Sequence, residues 1–190
     1  MKNEPGTGKL RIIGGKWRGR RLSVADFKVL RPTPDRARET LFNWLQPVIA
    51  GARCLDLFSG TGIMGFEALS RGAESVIMVE SNPALARLIE GQCRVLKAQG
   101  AEIVCADALE WLQQNNECFN IVFLDPPFRE GLLNKSWEAL VRGGHLQPGA
   151  LVYIESEPGG GVIGAGFKEI KQSRAGQVQY KLVEFIGGEQ

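Results

Sequence analysis

Strand-like and helix-like segments alternate along most of this chain, and few folds accommodate that order. Short apolar runs alternate with segments of helical periodicity. The strand-like runs are RCLDLF, SVIMVE, EIVCA, NIVFLD and ALVYIES, and the helical segments between them are GIMGFEALSR, PALARLIEGQCRVLKAQ, ALEWLQQ and LLNKSWEALVR. This alternation predicts an α/β fold with a doubly wound, mostly parallel sheet. The last segments, FKEIKQSR and VQYKLVEFI, predict an antiparallel hairpin that closes one edge.

The composition favours one globular domain and excludes several classes of protein. The chain has 190 residues, of which 44% are hydrophobic and 23% charged, which is enough for a full core. No apolar run approaches the about 20 residues that span a bilayer, and the start MKNEPGTGK lacks an apolar signal region. We therefore expect a cytoplasmic protein with no membrane association.

The cysteines and the single histidine suggest no metal or redox site. Cys54, Cys93, Cys105 and Cys118 are widely separated, so neither a zinc site nor a disulfide framework is expected. His145 is expected at the surface or in a loop.

The net charge of +2 is unevenly distributed. Residues 1–38 contain 11 of the 23 Lys and Arg residues but only 3 of the 21 Asp and Glu residues. The segment LRIIGGKWRGRRL, residues 10–22, predicts a β-hairpin with an exposed Trp17 near its tip. A basic arm with an exposed aromatic ring can contact phosphates and stack on a base. The candidate RNA-binding residues are Lys16, Trp17, Arg18, Arg20 and Arg21; alternatively, the charges only protect an edge hairpin from aggregation.

The segment RPTPDRARETLFNWL predicts the first long helix. Thr33 is its candidate N-cap and Pro34 its candidate first helical residue. Arg31, Arg36 and Arg38 are expected to be exposed.

A glycine-rich loop follows the first strand of the alternating region. Gly60, Gly62 and Gly65 form a G-x-G-x-x-G pattern between a strand and a helix, and Glu80 lies at the end of the next strand. This pattern serves several nucleoside cofactors, and Glu80 could bind the ribose hydroxyls of NAD or of S-adenosylmethionine. Asp56, four residues before the first glycine, discriminates between them. Its carboxylate would repel a pyrophosphate but attract the α-ammonium and sulfonium of S-adenosylmethionine.

Four acids lie close to predicted strand ends: Asp56, Glu80, Asp107 and Asp125. Each could separately serve as a helix cap or a solvated charge, and Asp107 has the position of an N-cap. Their shared location at the carboxyl edge of the sheet favours a site for a cationic cofactor.

The stretch VFLDPPFRE leads an apolar strand into Asp125, Pro126, Pro127 and Phe128. The Asp125 carboxylate and the Pro126 carbonyl are two acceptors that could hold an exocyclic amine of a base, and Phe128 could carry the unstacked ring. We therefore expect Asp125, Pro126 and Phe128 to be catalytic, with no metal. The structural alternative is a rigid strand exit with a capping acid.

The combination of LDLFSGTG, VES, ADALEWL and FLDPPF resembles the amino-methylating branch of the class I S-adenosylmethionine-dependent methyltransferases. With RIIGGKWRGRRL, RPTPDRARETLFNWL and AGQVQYKL added, the resemblance covers nearly the whole chain and is to the RsmD family of bacterial 16S ribosomal RNA guanine-N2 methyltransferases. It implies a Rossmann-like, seven-stranded sheet and S-adenosylmethionine as methyl donor. The implied acceptor is 16S ribosomal RNA, within a small-subunit particle or as naked RNA. We expect a monomer with a basic N-terminal β-hairpin extension for RNA at residues 1–30 and a methyltransferase domain at residues 31–190.

The resemblance also implies the cofactor-binding residues. Asp56 and the glycine loop would surround the methionine part, Glu80 would hold the ribose, and Asp107 with Ala108 the adenine edge. The RPT segment would close over the cofactor's carboxylate end. The full implied set is Arg31, Pro32, Thr33, Asp56, Ser59, Gly60, Thr61, Gly62, Glu80, Ser81, Asp107, Ala108 and Asp125.

Other functions remain open at this point. An adenine-N6 methyltransferase acting on DNA or RNA would use similar chemistry. A glutamine-N5 protein methyltransferase usually has Asn where this chain has Asp125. A nicotinamide-binding oxidoreductase explains the glycines but not DPPF, and a non-catalytic RNA-binding chaperone explains only the basic hairpin.

Overall fold

The structure, a computed structural model, describes residues 9–23, 34–127, 131–156, 166–176 and 178–187. Four of the expected site residues lie outside the described ranges: Arg31, Pro32, Thr33 and Phe128. Most of the glycine-rich segment EPGGGVIGAG, residues 157–166, lies outside them as well.

Most of the described strands form one large sheet. Its strands are β3 (Arg53–Asp56), β4 (Ser75–Val79), β5 (Ala101–Val104), β6 (Phe119–Leu124), β7 (Leu146–Ser156), β8 (Phe167–Ala175) and β9 (Val178–Phe185). The order across the sheet is β5-β4-β3-β6-β7-β9-β8, with β3 to β7 parallel and β9 antiparallel to both of its neighbours. The predicted doubly wound, seven-stranded, mostly parallel sheet is therefore confirmed, and so is the antiparallel hairpin at its edge.

In the described part of the chain, five helices connect or flank these strands: α1 (Asp35–Leu45), α2 (Ile63–Ser70), α3 (Pro83–Leu96), α4 (Ala108–Gln114) and α5 (Leu132–Arg142). The bounds of α4 and α5 agree with the sequence prediction. Helix α1 begins one residue later than predicted: Pro34 is extended (φ −55°, ψ 145°) and is the N-cap, so it precedes the first helical residue. No helix in the described ranges has the length and apolar character that a membrane crossing requires.

The sheet is buried on both faces, which explains its continuous apolar strands. In β6, Ile121 and Phe123 face the layer that contains α1, α2 and α3, while Val122 and Leu124 face the layer that contains α4 and α5. The carboxyl ends of the parallel strands therefore share one edge, flanked by helices from both layers.

The basic segment forms the predicted hairpin, with β1 (Lys9–Arg11) antiparallel to β2 (Arg21–Ser23). A short 3₁₀ helix, Gly15–Trp17, interrupts the connection and folds it back onto α2. Trp17 is only 9% exposed, so the expectation of an exposed ring at the hairpin tip is wrong. Its backbone amide donates to Ser70 Oγ at 2.9 Å, and Ser70 Oγ donates to the Gly14 carbonyl at 2.6 Å. These bonds hold the ring against the core.

The expectation of an exposed Arg38 is also wrong, because its side chain is fully buried. Its two terminal nitrogens donate to the Arg11 carbonyl at 3.2 and 3.1 Å, and one of them lies 3.8 Å from the Glu67 carboxylate. Glu67 is fully buried as well and accepts from the backbone amides of Ile13 and Gly14. A buried ion pair thus joins the hairpin to α1 and α2.

His145 is fully buried rather than at the surface. Its two ring nitrogens lie 2.9 Å from the carbonyl oxygens of Glu117 and Leu112, and its ring stacks near Trp111 with centroids 6.4 Å apart. The histidine ties the end of α4 to the start of β7, far from the carboxyl edge.

Candidate active site

The carboxyl edge of the sheet contains a cavity of about 470 Å³. This volume lies within the range of about 300–1,000 Å³ that is typical of small-molecule sites. The four acids predicted at strand ends, Asp56, Glu80, Asp107 and Asp125, all line it. Of the other expected site residues, the structure also places Ser59, Gly60, Thr61, Ser81, Ala108 and Pro126 in its wall.

The glycine loop forms the wall between β3 and α2. Gly62 adopts a left-handed conformation (φ +74°) as the N-cap of α2, where its missing side chain avoids strain. It is not among the cavity-lining residues. Gly65 allows the helix to approach the sheet, because a Cβ at this position would lie 2.5 Å from Met78 Sδ. The Asp56 carboxylate accepts from the Gly65 amide at 3.2 Å, and the Asp56 carbonyl accepts from Ser59 Oγ at 2.8 Å.

Glu80, which follows the neighbouring strand β4, is hydrogen-bonded to the glycine loop. One carboxylate oxygen accepts from the Gly60 amide and the other from the Asn82 amide, each at 2.8 Å. A carboxylate has about four lone-pair positions, so each oxygen can accept a further bond from a ligand hydroxyl. The half-buried position of Glu80 leaves this side open to the cavity.

Asp107 is the N-cap of α4, as its sequence context suggested. Its Oδ1 accepts from the amides of Leu109 at 2.8 Å and Glu110 at 3.1 Å. These bonds fix the carboxylate beside the buried Ala108. Asp107 follows β5 and Asp125 follows β6, so the two acids lie at opposite ends of the cavity, with β4 and β3 between them. Both oxygens of a carboxylate can accept, so the capping role does not consume its capacity for a ligand amine.

Asp56 is only 3% exposed. Burial is the main cause that raises the pKa of Asp56 from 3.8 to about 7; this net value includes a further rise from the charge of Glu80 and an opposing effect of hydrogen bonding by the Gly65 amide and the Ser59 side chain. A buried carboxylate in this state is stabilised by a cation and destabilised by an anion.

Asp125 follows β6 directly and continues into the buried Pro126 and the exposed Pro127. Burial raises the pKa of Asp125 well above its ordinary value, and the charges of Glu155 and Asp56 raise it further. The pairing of Leu124 with Ile154 places Asp125 level with Glu155 on the next strand. The corner therefore holds three neighbouring acids at the ends of β3, β6 and β7.

Sequence reasoning missed the residues around Asp125 on its β7 side. Glu155 is 6% exposed and accepts a hydrogen bond from the Tyr153 hydroxyl at 2.8 Å. The ring of Tyr153 stacks on that of Tyr180 from β9, with centroids 6.2 Å apart and planes inclined by 8°. Glu155 is the second-to-last residue of the predicted strand ALVYIES, so the rule used for the other four acids could have found it. Tyr180 had no such signal, because its position depends on the pairing of β9 with β7.

The predicted set also omitted the apolar part of the cavity wall. Leu57, Phe58, Ile63, Met64, Val79, Leu85, Ala106, Phe123, Pro127 and Leu132 line the cavity. In the sequence these residues resemble ordinary core positions.

The basic residues of the hairpin lie outside the cavity. Lys16, Arg18, Arg20 and Arg21 are exposed, in contrast to Trp17. Lys16 Nζ lies 4.3 Å from the centroid of the Trp17 ring, so part of that ring is covered by a cation.

Comparisons with known proteins identify close relatives. Residues 10–184 match the family model described as conserved hypothetical protein 95. The chain is 46% identical over 184 residues to ribosomal RNA small subunit methyltransferase D of Escherichia coli strain K12, which covers 96% of this chain and 93% of the relative. A solved structure, the putative methyltransferase yhhF from Escherichia coli, matches with a TM-score of 0.88 and 44% identity, over 94% of this chain and 98% of that chain.

A more distant solved structure shares the fold alone. SMU.776, a putative methyltransferase complexed with SAH, matches with a TM-score of 0.62 and 15% identity, over 77% of this chain and 49% of that chain.

Proposed function

The chain belongs to the RsmD family of small-subunit ribosomal RNA methyltransferases, and we propose that it transfers a methyl group from S-adenosylmethionine to the exocyclic N2 of a guanine in 16S ribosomal RNA. The observation that carries this proposal is the meeting of two features at one edge of the sheet. An acid-lined cavity at the ends of β3, β4 and β5 opens beside the Asp125-Pro126-Pro127 turn at the end of β6. A donor site and an acceptor site are therefore adjacent.

The cavity suits S-adenosylmethionine better than a dinucleotide. Burial and the charges of neighbouring acids already raise the pKa values of Asp56 and Asp125, and a pyrophosphate would add further negative charge. An α-ammonium and a sulfonium offset this repulsion. S-adenosylmethionine supplies the reaction with a methyl group bound to a positively charged sulfur.

Different residues of the cavity wall would bind different parts of the cofactor. Asp56, with Ser59, Gly60 and Thr61, would hold the methionine end, because it is the buried acid nearest the glycine loop. Glu80 and Ser81 would accept the ribose hydroxyls. Asp107 and Ala108 would bind the adenine edge, and the apolar residues of the wall would pack against the rings. The proposed contribution of Arg31, Pro32 and Thr33 to the carboxylate end concerns residues outside the described ranges.

Asp125 and Pro126 would hold the acceptor amine. The lone pair of a guanine N2 is delocalised into the ring, and hydrogen bonds from the amine to the Asp125 carboxylate and the Pro126 carbonyl favour a more pyramidal, nucleophilic nitrogen. Asp125 and Pro126 would aim the nitrogen lone pair at the methyl group, and Asp125 or water would accept the proton that the methylated amine releases. Positioning supplies most of the rate enhancement in such a site. The proposed stacking surface, Phe128, lies outside the described residues.

The exposed cations of the hairpin support an RNA substrate. Lys16, Arg18, Arg20 and Arg21 are exposed and give a positive surface to an element that is docked against α1 and α2. This surface would contact backbone phosphates, which fixes the orientation of the RNA without reading its sequence. We further propose that the protein acts as a monomer on an assembled small-subunit particle in the cytoplasm.

The function is tested by mass spectrometry of 16S ribosomal RNA from cells with and without the gene. We expect the deletion to remove one N2-methylguanosine, and the purified protein with radioactive S-adenosylmethionine to restore it on particles from the deletion strain. Loss of an N6-methyladenosine instead would assign the adenine chemistry that shares the same acceptor pair. An unchanged methylation pattern would reject the proposal.

A further inference from the structure

We propose that a second cavity, between α1 and the β8–β9 hairpin, binds the phosphate and ribose of an RNA nucleotide next to the methylated base. This inference rests on the proposed function and adds a substrate subsite to it. The cavity has a volume of about 410 Å³, and none of the described residues that line it also lines the cofactor cavity. Its polar and aromatic wall includes Arg36, Thr40, Trp44, Tyr153, Arg174 and Tyr180.

The charge of this cavity is opposite to that of its neighbour. Arg36 from α1 and Arg174 from β8 face it from two different elements, and no carboxylate lines it within the described ranges. Neither arginine forms an ion pair with another described residue. Arg174 Nε donates to the Gly176 carbonyl at 2.9 Å, which orients the guanidinium and leaves its two terminal nitrogens for a ligand. Two guanidinium groups without a counter-ion favour a phosphate.

Tyr180 adds a hydrogen-bonding group to the wall of the cavity. It is 3% exposed, and its hydroxyl has no hydrogen-bond partner among the described residues. A buried hydroxyl without a partner costs about 1–3 kcal/mol, so such groups commonly have a ligand or water to bind. The stacked Tyr153 provides the contrast, because its hydroxyl is already used by Glu155.

The cavity lies beside the acceptor corner, which is the group of acids Asp56, Asp125 and Glu155 at the ends of β3, β6 and β7. Tyr153 lines the cavity and donates to Glu155, and Glu155 lies level with Asp125 across the β6–β7 pairing. An RNA strand whose base enters at Asp125 must place its neighbouring phosphates nearby. The acid-lined cofactor cavity repels them, whereas the arginine-lined cavity attracts them. The half-buried Trp44 also offers an aromatic face to the flanking nucleotide.

The test uses Arg36→Ala, Arg174→Ala and the double variant, with Arg142→Ala as the matched control. Arg142 is an exposed arginine on α5, on the opposite face of the sheet. Methyl transfer to hypomethylated small-subunit particles gives KM and kcat, and filter binding at several salt concentrations gives the RNA Kd. Calorimetry with S-adenosylmethionine checks that each variant is folded. Tyr180→Phe removes only the unpartnered hydroxyl.

We expect each arginine variant to raise KM and Kd about 5- to 20-fold, with kcat within twofold and S-adenosylmethionine binding unchanged. The double variant should make the negative slope of log K against log salt shallower by about 0.7 for each phosphate of a single strand that the protein no longer neutralises. Tyr180→Phe should raise KM without lowering the melting temperature. The inference is overturned if the cavity variants behave like Arg142→Ala, or if only kcat falls. If the wild-type protein methylates no particle, the proposed function fails, while the filter-binding comparison still tests the cavity.

Discussion

The carboxylate of Asp56 accepts a hydrogen bond from the backbone amide of Gly65 at 3.2 Å, so a buried acid at the end of β3 fastens the first turn of α2. One such bond only partly offsets the loss of solvation, and the pKa of Asp56 rises from its ordinary value of 3.8 to about 7. The acid that secures the glycine loop therefore also makes it sensitive to pH.

The stability of the protein should fall as the pH rises through this pKa. The folded state binds more protons at Asp56 than the unfolded state between about pH 4 and pH 7, so the free energy of unfolding decreases over this window, by at most on the order of 4 kcal/mol. Asp56→Asn should flatten this dependence in urea denaturation at pH 5 and pH 8. Glu102→Gln, at an exposed acid on β5, is the control. A decrease in Asp56→Asn as steep as in the wild type would contradict the assignment.

Replacing Asp125 should separate cofactor binding from catalysis. Asp125→Ala removes one acceptor of the proposed amine site, and we expect methyl transfer to fall at least about 100-fold while S-adenosylmethionine still binds. Radioactive methyl transfer measures the first quantity and calorimetry the second. Glu102→Ala should leave both unchanged. Normal turnover in Asp125→Ala would remove this residue from the mechanism.

The ion pair of Arg38 and Glu67 should contribute strongly to stability. Glu67→Ala leaves a fully buried guanidinium without this partner and two hairpin amides without their acceptor, so we expect a loss of about 3–5 kcal/mol. Urea denaturation measures it, with Glu74→Ala, at an exposed position, as control. In a double-mutant cycle with Arg38→Met, additive losses would show that the two side chains are not coupled.

Trp17 should act through packing rather than through RNA. Its ring is buried against α2, so Trp17→Ala should lower the free energy of unfolding by about 3–5 kcal/mol, and Trp17→Phe by less. The RNA Kd, measured well below the melting temperature of the variant, should change less than about threefold. A tenfold loss of RNA affinity in a fully folded Trp17→Phe protein would restore a stacking role.

The exposed hairpin arginines should instead determine the salt dependence of RNA binding. Replacing Arg18, Arg20 and Arg21 by Ala should weaken binding and make the negative slope of log K against log salt shallower by about 0.7 to 0.9 for each phosphate that is no longer neutralised. Filter binding over a salt series measures the slope. The control is Arg87→Ala with Arg94→Ala, at two exposed positions on α3. An unchanged slope in the triple variant would mean that the hairpin charges only protect an edge.

Local signals in the sequence account for the parts of the fold that could be predicted. The bounds of α4 follow from a capping acid and a short apolar period, and the parallel sheet follows from the alternation of strands with helices. The four acids could be placed together because parallel strands end at one edge. Each of these inferences uses neighbours in sequence or a rule of topology.

The errors at Trp17 and Arg38 concern interactions between distant segments. Trp17 and Ser70 are 53 residues apart, and Arg38 is buried by the hairpin backbone 27 residues before it. Composition alone favours an exposed arginine and allows an exposed tryptophan in a basic arm. Tyr180 enters the acceptor corner only because β9 pairs with β7.

The position of β9 also sets an order of assembly. Synthesis reaches β8 before β9, yet β9 lies between β7 and β8, and β8 pairs with no other described strand of the sheet. During translation β8 cannot join the sheet until β9 has left the ribosomal exit tunnel, because β9 lies between β8 and β7. Until then the backbone groups of β8 are bonded to water. Because Tyr180 and Arg174 sit on these two strands, the corner beside Asp125 is completed only after β9 has paired with β7 and β8.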